Sequence, residues 1–241
     1  MKTAAVVLSG GSGKRMGTDR PKQYLDLGGY PVIYYSLMAF EESFIDEIVL
    51  VCAAGDEEMC RNDIADRYGF KKIKSIICGG RERYHSVMNG VSAVSADADY
   101  IFIHDGARPF ISGKVLEGVL EDVKKYKASI VSVPAKDTVK LADEGAFVKA
   151  TPPRKSVWQM QTPQVFEAAL IRSAYGRLKE EEEKLLAQGV EISDDAMIVE
   201  LLTDTRVHLY KGEYTNIKIT TPEDLAYAEW FAANKYSGKL L

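Results

Sequence analysis

Short, almost fully apolar runs alternate along the chain with longer stretches of helical periodicity. The apolar runs predict strands at 4–8, 47–53, 73–78, 100–104, 129–134 and 207–210. The stretches between them predict helices at 32–42, 56–68, 83–94 and 114–126. Because repeated β–α units join parallel strands through right-handed crossovers, the pattern predicts an α/β fold with a mostly parallel sheet and flanking helices. Ligands of such sheets bind at the carboxyl ends of the strands.

One segment, residues 137–151, breaks this alternation. Two short strand-like runs, 137–142 and 146–151, flank the turn Asp143-Glu144-Gly145 and predict a β-hairpin. A hairpin of this size has no core of its own, so it either folds back on its own domain or packs against a second copy of the chain. We favour a dimerisation arm at about 137–154 on a single domain of residues 1–241, because the hairpin carries apolar side chains at Val139, Leu141, Phe147 and Val148.

Composition narrows the class of protein. The 241 residues carry a net charge of −4 and 46% hydrophobic residues, which fits one large α/β domain and argues against a disordered or nucleic-acid-coating protein. The apolar runs are too short for a membrane span and the first residues lack a signal-peptide pattern, so we expect a cytoplasmic protein. The cysteines form no C-x-x-C motif and are expected as buried thiols, at Cys52, Cys60 and Cys78.

The strongest chemical signal is the glycine-rich, cationic loop 10–24, which follows the first strand directly. Its glycines allow the backbone N–H groups to turn inward as an anion nest, and its lysines and arginines add positive charge. The loop is not a P-loop, since Arg15 follows Gly13-Lys14, and not a dinucleotide-binding fingerprint, since Gly17 comes one place too late. It is similar to the signature loop of nucleotidyltransferases that join a nucleoside triphosphate to a phosphorylated sugar or polyol.

A second signal lies at the end of the apolar strand 100–104, where Asp105 is followed by Arg108. A carboxylate at the tip of a central strand is well placed to hold Mg²⁺ against phosphate oxygens, and a nearby arginine can bind a phosphate. The alternative is a salt bridge between the two that closes a turn. The position opposite the glycine loop favours function. His104 and His208 lie in strand-like runs and are expected as packed sheet residues, and no zinc motif is present.

Weaker signals lie elsewhere along the chain. Gly79-Gly80 opens a predicted strand-to-helix turn that offers backbone N–H groups, the Arg83 guanidinium and the Ser86 hydroxyl to a base or its ribose. Proline-set turns at 151–154, 161–164 and 216–224 present further polar and cationic side chains. Ser193-Asp194-Asp195 is interpreted as a helix cap.

Seven motifs together resemble one family, the 2-C-methyl-D-erythritol 4-phosphate cytidylyltransferases of non-mevalonate isoprenoid biosynthesis. They are G-G-x-G-x-R-M with P-K-Q-Y at 10–24, G-G-x-E-R-x-x-S-V at 79–87, H-D-x-A-R-P at 104–109, V-P-x-K-D-T at 133–138, T-P-P-R at 151–154, Q-T-P-Q-x-F at 161–166 and N-I-K-I-T-x-P-E-D at 216–224. A common form of the family's loop reads A-A-G where this chain has Ser9-Gly10-Gly11, which keeps a small, tight turn.

The resemblance implies a Rossmann-like fold with a dimerising β-arm, and cytidylyl transfer from CTP to 2-C-methyl-D-erythritol 4-phosphate with Mg²⁺ or another divalent cation. It also implies residue roles. Transition-state stabilisers are expected at Arg15 and Lys22. Substrate-binding positions are Asp105, Arg108, Thr138, Arg154, Thr162 and Lys218. Nucleotide-binding positions are Gly10, Gly11, Ser12, Gly13, Gly80, Arg83 and Ser86, and metal contacts are expected at Asp105 and Asn216.

Two other functions agree with much of this pattern. A ribitol 5-phosphate cytidylyltransferase shares the loop, the strand end and the arm, and Thr151-Pro152-Pro153-Arg154 favours methylerythritol phosphate as the acceptor. A nucleotide-sensing module would bind without turnover. The joint presence of Arg15, Lys22 and Asp105 argues against a site without catalysis.

Overall fold

The computed structural model describes residues 1–11, 16–17 and 20–236. The strands are β1 (Thr3–Ser9), β2 (Asp26–Leu27), β3 (Tyr30–Pro31), β4 (Glu47–Cys52), β5 (Ile73–Cys78), β6 (Tyr100–Asp105), β7 (Ala128–Pro134), β8 (Leu141–Ala142), β9 (Val148–Ala150), β10 (Trp158–Glu167) and β11 (His208–Lys211). The helices are α1 (Val32–Glu41), α2 (Glu57–Met59, continued by a π-helical stretch at Cys60–Asp66), α3 (Arg83–Ala93), α4 (Gly113–Tyr126), α5 (Ala168–Ala187), α6 (Asp195–Leu202) and α7 (Pro222–Tyr236). Short 3₁₀ helices lie at Lys22–Tyr24 and Arg154–Ser156.

Seven of these strands form one twisted sheet, in the order β11-β7-β10-β6-β1-β4-β5. Neighbours pair in parallel except at β10, which runs antiparallel to both β6 and β7. The predicted α/β fold with a mostly parallel, Rossmann-like sheet is therefore confirmed. The sequence interpretation was wrong about 161–164, which was assigned to a proline-set turn and lies inside β10. Its glutamine, threonine and proline residues concealed a strand that is buried over its second half.

Helices cover both faces of the sheet and bury two apolar cores. One core packs α3, α5 and α6 against the sheet, and the other packs α1, the stretch after α2 and α4 against the opposite face. A third, smaller cluster joins Met16 of the glycine-rich loop to α7 and to Phe110. The four predicted helices are present, and the Ser112 hydroxyl caps α4 by accepting a hydrogen bond from the N–H of Val115 at 3.3 Å.

The predicted hairpin is present as β8 and β9, although its paired strands are shorter than the sequence suggested. Its apolar side chains are exposed to solvent in the single chain: Leu141 is 52% exposed, Phe147 74% and Val148 62%. The segment 137–154, which contains this hairpin, is called the arm below. Within the described residues, no helix is both long and apolar enough to cross a bilayer.

Candidate active site at the carboxyl ends of the strands

Three loops meet where the central parallel strands end. Leu8 of β1 lies beside Asp105 of β6, so the glycine-rich loop and the turn at 106–109 leave the sheet side by side. The N–H of Gly79 donates to the carbonyl of Cys52 at 2.8 Å, which brings the third loop to the end of β4. The N–H of Ile219 donates to the carbonyl of Ala107 at 2.9 Å and adds the segment before α7. These contacts bring four of the predicted motifs, at 10–24, 79–87, 104–109 and 216–224, to one edge of the sheet.

Asp105 is the centre of a cluster of charges at this edge. Its Oδ2 lies 2.8 Å from Lys218 Nζ and 3.9 Å from Arg108 Nε, and its Oδ1 lies 3.4 Å from Arg83 Nε. Burial alone would raise the pKa of Asp105, but the charges of Arg83, Lys218 and Arg108 outweigh it and hold the pKa well below its ordinary value. The salt bridge between Asp105 and Arg108, which was the alternative interpretation of this motif, is thus one of three contacts, and the carboxylate is ionised at neutral pH.

Buried polar groups hold the backbone of Asp105 in place. Its N–H donates to Thr162 Oγ1 at 3.1 Å, and the same hydroxyl contacts His104 Nδ1 at 3.0 Å. His104 Nε2 lies 3.2 Å from the carbonyl of Arg108. Burial lowers the pKa of His104 to about 4, so this imidazole is neutral at physiological pH. His104 is a packed sheet residue, as its sequence context predicts, and Thr162 supports the strand tip from β10.

Arg108 and Asn216 connect this cluster to the segment before α7. Arg108 Nη1 donates to the carbonyl of Asn216 at 2.9 Å, and Asn216 Nδ2 donates to the carbonyl of Thr162 at 2.8 Å. Burial lowers the pKa of Arg108 from its ordinary value. The Oδ1 atom of Asn216 is buried and accepts no hydrogen bond from any described residue. An acceptor without a donor inside a protein indicates a site for a ligand group or an ion.

The most extensive buried contact of the site was missed by the sequence interpretation. Arg83 binds Asp195 through both terminal nitrogens, with Nη1 3.0 Å from Oδ1 and Nη2 2.9 Å from Oδ2. The Tyr175 hydroxyl donates to the same Oδ1 at 2.6 Å. Of the presumed cap Ser193-Asp194-Asp195, only the Asp194 side chain caps α6, through the N–H of Met197 at 2.9 Å. In the sequence, only the presence of two successive aspartates at a helix start indicated that one of them, Asp195, had a role other than capping.

The turn at 79–86 forms a compact platform next to this cluster. The N–H of Gly80 donates to Ser86 Oγ at 3.0 Å, which folds the turn over the first residues of α3. A Cβ atom at Gly80 would overlap the Cβ of His85, so only glycine fits this approach. Glu82 and His85 form a capping box at the same helix start. The predicted nucleotide-binding residues of this motif therefore lie together.

Only part of the glycine-rich loop is described. Gly10 and Gly11 are exposed directly after β1, and the Gln23 side-chain amide donates to the carbonyl of Gly11 at 3.1 Å. Lys22 begins the adjacent 3₁₀ helix. The predicted residues Ser12, Gly13 and Arg15 lie outside the described residues. Gln23 belongs to the P-K-Q-Y motif, and its buried side chain supports the loop. No role was predicted for it from the sequence.

Neither of the two predicted substrate-binding residues of the arm contacts the Asp105 side chain in the single chain. Thr138 and Arg154 are both exposed. Arg154 Nη1 lies 3.4 Å from the carbonyl of Lys136, which directly precedes the arm. The described residues that contact the Asp105 side chain are Arg83, Arg108 and Lys218.

The cluster offers oxygen ligands of the kind that Mg²⁺ prefers. In the described ranges no three His, Cys, Asp or Glu side chains form a metal-binding group. Mg²⁺ does not require one, because it takes one or two carboxylates and completes its shell with waters and substrate phosphates. The ionised Asp105 and the unsatisfied Oδ1 of Asn216 are such ligands. These residues therefore fit a Mg²⁺ ion that binds together with a polyphosphate.

A comparison with models of known protein families identifies the family to which the chain belongs. The family model described as 2-C-methyl-D-erythritol 4-phosphate cytidylyltransferase matches residues 3–234. The chain belongs to this family. The resemblance to the 2-C-methyl-D-erythritol 4-phosphate cytidylyltransferases is confirmed over nearly the whole chain.

Individual members of the cytidylyltransferase family are similar to the chain from end to end. The enzyme of that name from Lachnoclostridium phytofermentans is 45% identical over 228 residues, which cover 95% of each protein. The one from Lachnospira eligens is 48% identical over 228 residues, 94% of this chain and 97% of its own. Among solved structures, the 4-diphosphocytidyl-2C-methyl-D-erythritol synthase of Anaerococcus prevotii is 33% identical, covers 96% of both chains and superposes with a TM-score of 0.81.

Proposed function

We propose that this chain transfers the cytidylyl group of CTP to 2-C-methyl-D-erythritol 4-phosphate and releases pyrophosphate. Membership of the family supports the reaction. The observation that carries it to this site is the Asp105 cluster, in which an ionised carboxylate and three cationic side chains converge beside the glycine-rich loop. Such a site attracts polyanions and can hold a divalent cation.

The reaction needs charge stabilisation more than it needs a base. The nucleophile is a phosphate monoester, whose second pKa is about 6, so it is largely deprotonated at neutral pH. The neutral, buried His104 is accordingly part of the scaffold and not a proton acceptor. What the protein supplies is fixed positive charge that brings two polyanions together and stabilises the five-coordinate phosphorus. We assign this charge stabilisation to Lys218 and Arg108 of the cluster and to Lys22 and Arg15 of the glycine-rich loop.

The proposal includes Mg²⁺ held by Asp105 with Asn216 as its neighbour. When bound, Mg²⁺ neutralises charge on the triphosphate and on the departing pyrophosphate. Asp105 and Asn216 keep their places for the ion because the backbone of each is hydrogen-bonded to another part of the site. The glycine-rich loop binds the phosphates, and the Gly80–Ser86 platform binds the cytidine.

We further propose that a second copy of the chain completes the binding site for the acceptor. Thr138 and Arg154 lie on an exposed arm, and neither contacts the Asp105 side chain of its own chain. The exposed apolar side chains of the arm have the character of a surface that is covered in an assembly. We therefore assign a homodimer in which each arm delivers Thr138 and Arg154 to the methylerythritol phosphate of its partner.

A pyrophosphate-release assay tests the reaction and the acceptor. The purified chain is incubated with CTP and Mg²⁺ in three parallel reactions. One contains 2-C-methyl-D-erythritol 4-phosphate, one contains ribitol 5-phosphate, and one contains no acceptor. We expect release with methylerythritol phosphate, and at most background release in the other two reactions. Faster release with ribitol 5-phosphate would identify a different polyol enzyme. Binding of CTP without release in any reaction would indicate a nucleotide sensor.

The same assay tests the choice of nucleotide. We expect kcat/KM for CTP to exceed that for UTP by on the order of 10²-fold or more, because polar groups arranged for the cytosine amino group are left unpaired by uracil. Equal kcat/KM values would remove base recognition from the Gly80–Ser86 platform. The same comparison of CTP with UTP in a Ser86→Ala variant tests the assignment to this platform, because discrimination against UTP is expected to weaken there.

A further inference from the structure

We propose that Asp195 is a positioning residue of this reaction, which occupies the fork of Arg83 so that only Nε of the guanidinium faces Asp105. This inference rests on the proposed function, because its readout is the handling of CTP. It concerns a residue that never contacts Asp105 itself. Asp195 would act on the active site through one arginine side chain.

The contacts of Arg83 divide between two carboxylates. Both terminal nitrogens bind Asp195, at 3.0 and 2.9 Å, while Nε points to Asp105 Oδ1 at 3.4 Å. A fork that binds both oxygens of a carboxylate is the strongest geometry an arginine can adopt with one. Arg83 is therefore anchored by Asp195 and makes only a long, single contact with Asp105.

Asp195 is itself held without freedom. Its side chain is fully buried, and Tyr175 adds a third hydrogen bond to its carboxylate at 2.6 Å. Burial is the main cause that raises the pKa of Tyr175 well above its ordinary value, and the nearby Asp195 adds to it, so this phenol remains a hydrogen-bond donor. Since a buried carboxylate without a partner is very costly, Asp195 and Arg83 hold each other in one conformation.

The start of α6 ties Asp195 to the strand that also supports Asp105. Gln164 of β10 accepts a hydrogen bond from the N–H of Ala196 at 2.9 Å and donates to Asp194 Oδ2 at 2.8 Å. Two residues earlier on β10, Thr162 accepts the hydrogen bond from the N–H of Asp105. Both carboxylates that contact Arg83 are thus positioned from one strand, which keeps the distance between them constant.

The consequence for the site is that Asp105 Oδ1, the oxygen that Lys218 and Arg108 do not contact, carries only the long contact with Arg83 Nε. If Asp195 were neutral, the fork of Arg83 would be free to turn to Asp105, the other carboxylate that it contacts. A fork on Asp105 would occupy the oxygens that we assign to Mg²⁺ and would withdraw the arginine from the nucleotide. We therefore expect loss of Asp195 to weaken CTP binding while the acceptor is bound as before.

Steady-state kinetics of five proteins test this inference: the wild type, Asp195→Asn, Glu200→Gln, Arg83→Gln and the double variant Arg83→Gln with Asp195→Asn. We expect Asp195→Asn to raise the KM for CTP by about tenfold and to change the KM for the polyol phosphate by less than about twofold. Glu200→Gln is the matched control. It removes one negative charge from an exposed position of the same helix α6, so its KM for CTP is expected to stay within about twofold of wild type.

The double variant separates positioning from a structural role. If Asp195 acts through Arg83, Asp195→Asn adds less than about twofold to the KM for CTP once Arg83 is glutamine. An equal loss in both backgrounds, or a KM in Asp195→Asn no higher than in Glu200→Gln, would overturn the inference while an active wild type upholds the proposed function. If Asp195→Asn does not fold, Tyr175→Phe replaces it. We expect that variant to raise the KM for CTP about two- to fivefold in the Arg83 background only.

Calorimetric titration of the same proteins with CTP and Mg²⁺ distinguishes the two failures. If the wild type binds CTP and releases no pyrophosphate, the proposed function fails, and the inference is judged on the CTP dissociation constants with the same fold-changes. If the wild type does not bind CTP, both fail, because Arg83 then has no nucleotide to be positioned for.

Discussion

At the scale of single residues, Lys22 offers the most direct test of the proposed chemistry. It begins the 3₁₀ helix that closes the glycine-rich loop. We expect Lys22→Ala to lower kcat by on the order of 10²-fold with a smaller effect on KM, because a fixed cation acts mainly on charge that develops in the transition state. Initial rates over a range of both substrates measure this. Lys125→Ala, on the exposed side of α4, is the control, and unchanged turnover in Lys22→Ala would exclude that lysine from the mechanism.

The lowered pKa of the buried His104 predicts that the free energy of unfolding depends on pH. Burial lowers its folded-state pKa from 6.5 to about 4, so between these values the unfolded chain binds a proton that the folded chain rejects. Stability conferred by the neutral imidazole is therefore complete above pH 6.5 and is lost as the pH falls toward about 4, by about 1.4 kcal/mol per pH unit. Asp105, whose pKa is depressed, loses its contribution only below 3.8.

Urea unfolding of the wild type and of His104→Gln across pH 4 to 7.5 measures this slope. The glutamine does not titrate, so the difference in unfolding free energy between the two proteins isolates the histidine. We expect that difference to be constant above pH 6.5 and to shrink steadily below it. A difference independent of pH would show that the imidazole titrates alike in the folded and unfolded chain.

At the scale of elements, two helical glycines distinguish close packing from an open helix surface. A Cβ atom at Gly90 of α3 would overlap Val6 Cγ1 and lie 3.1 Å from Val51 Cγ2, whereas one at Gly176 of α5 would meet nothing within 4 Å. We expect Gly90→Ala to lower the free energy of unfolding by about 1–3 kcal/mol through overpacking. Gly176→Ala is expected to raise it by about 0.5–1 kcal/mol through helix propensity.

Equilibrium unfolding in urea of both variants and of the wild type, under the same conditions, gives both values. Each glycine serves as the control for the other, since the substitution is identical and only the surroundings differ. If Gly90→Ala were as stable as Gly176→Ala, α3 would not approach β1 and β4 as closely as the structure has it.

At the scale of the whole molecule, the arm predicts a dimer. Phe147 is 74% exposed in the single chain, which is unusual for a phenylalanine unless it packs against a partner. We expect sedimentation velocity to find a homodimer at micromolar concentration, and Phe147→Glu to shift it toward monomer with loss of activity. Leu201→Glu, at another exposed apolar residue, is the control and should remain dimeric. A fully active monomeric wild type would exclude a shared site.

Mixed dimers test whether Arg154 acts across the interface. We expect a dimer made from one Lys22→Ala chain and one Arg154→Ala chain to recover activity at one of its two sites, because one site then contains both intact residues. Each parental homodimer is expected to be nearly inactive and serves as the baseline. No recovery in the mixed dimer would place Arg154 in the site of its own chain.

Most of the sheet and the location of the site could be predicted from the amino-acid sequence alone. Six of the seven strands of the main sheet were predicted because a buried parallel strand reads as an almost continuous apolar run. Asp105 and the glycine loop were predicted to meet because the carboxyl ends of parallel strands share one edge. Local patterns of this kind involve residues a few positions apart, and they survive any detail of packing.

The pairing of the polar residues, by contrast, could not be predicted before the fold was known. β10 was missed because Gln161, Thr162 and Gln164 carry polar side chains that are buried in hydrogen-bond networks, not in an apolar core. Asp195 was missed because its partner Arg83 lies 112 residues away, and nothing near either residue marks the other. Pairing of this kind depends on strand order and helix placement, which bring distant side chains together only after the chain has folded.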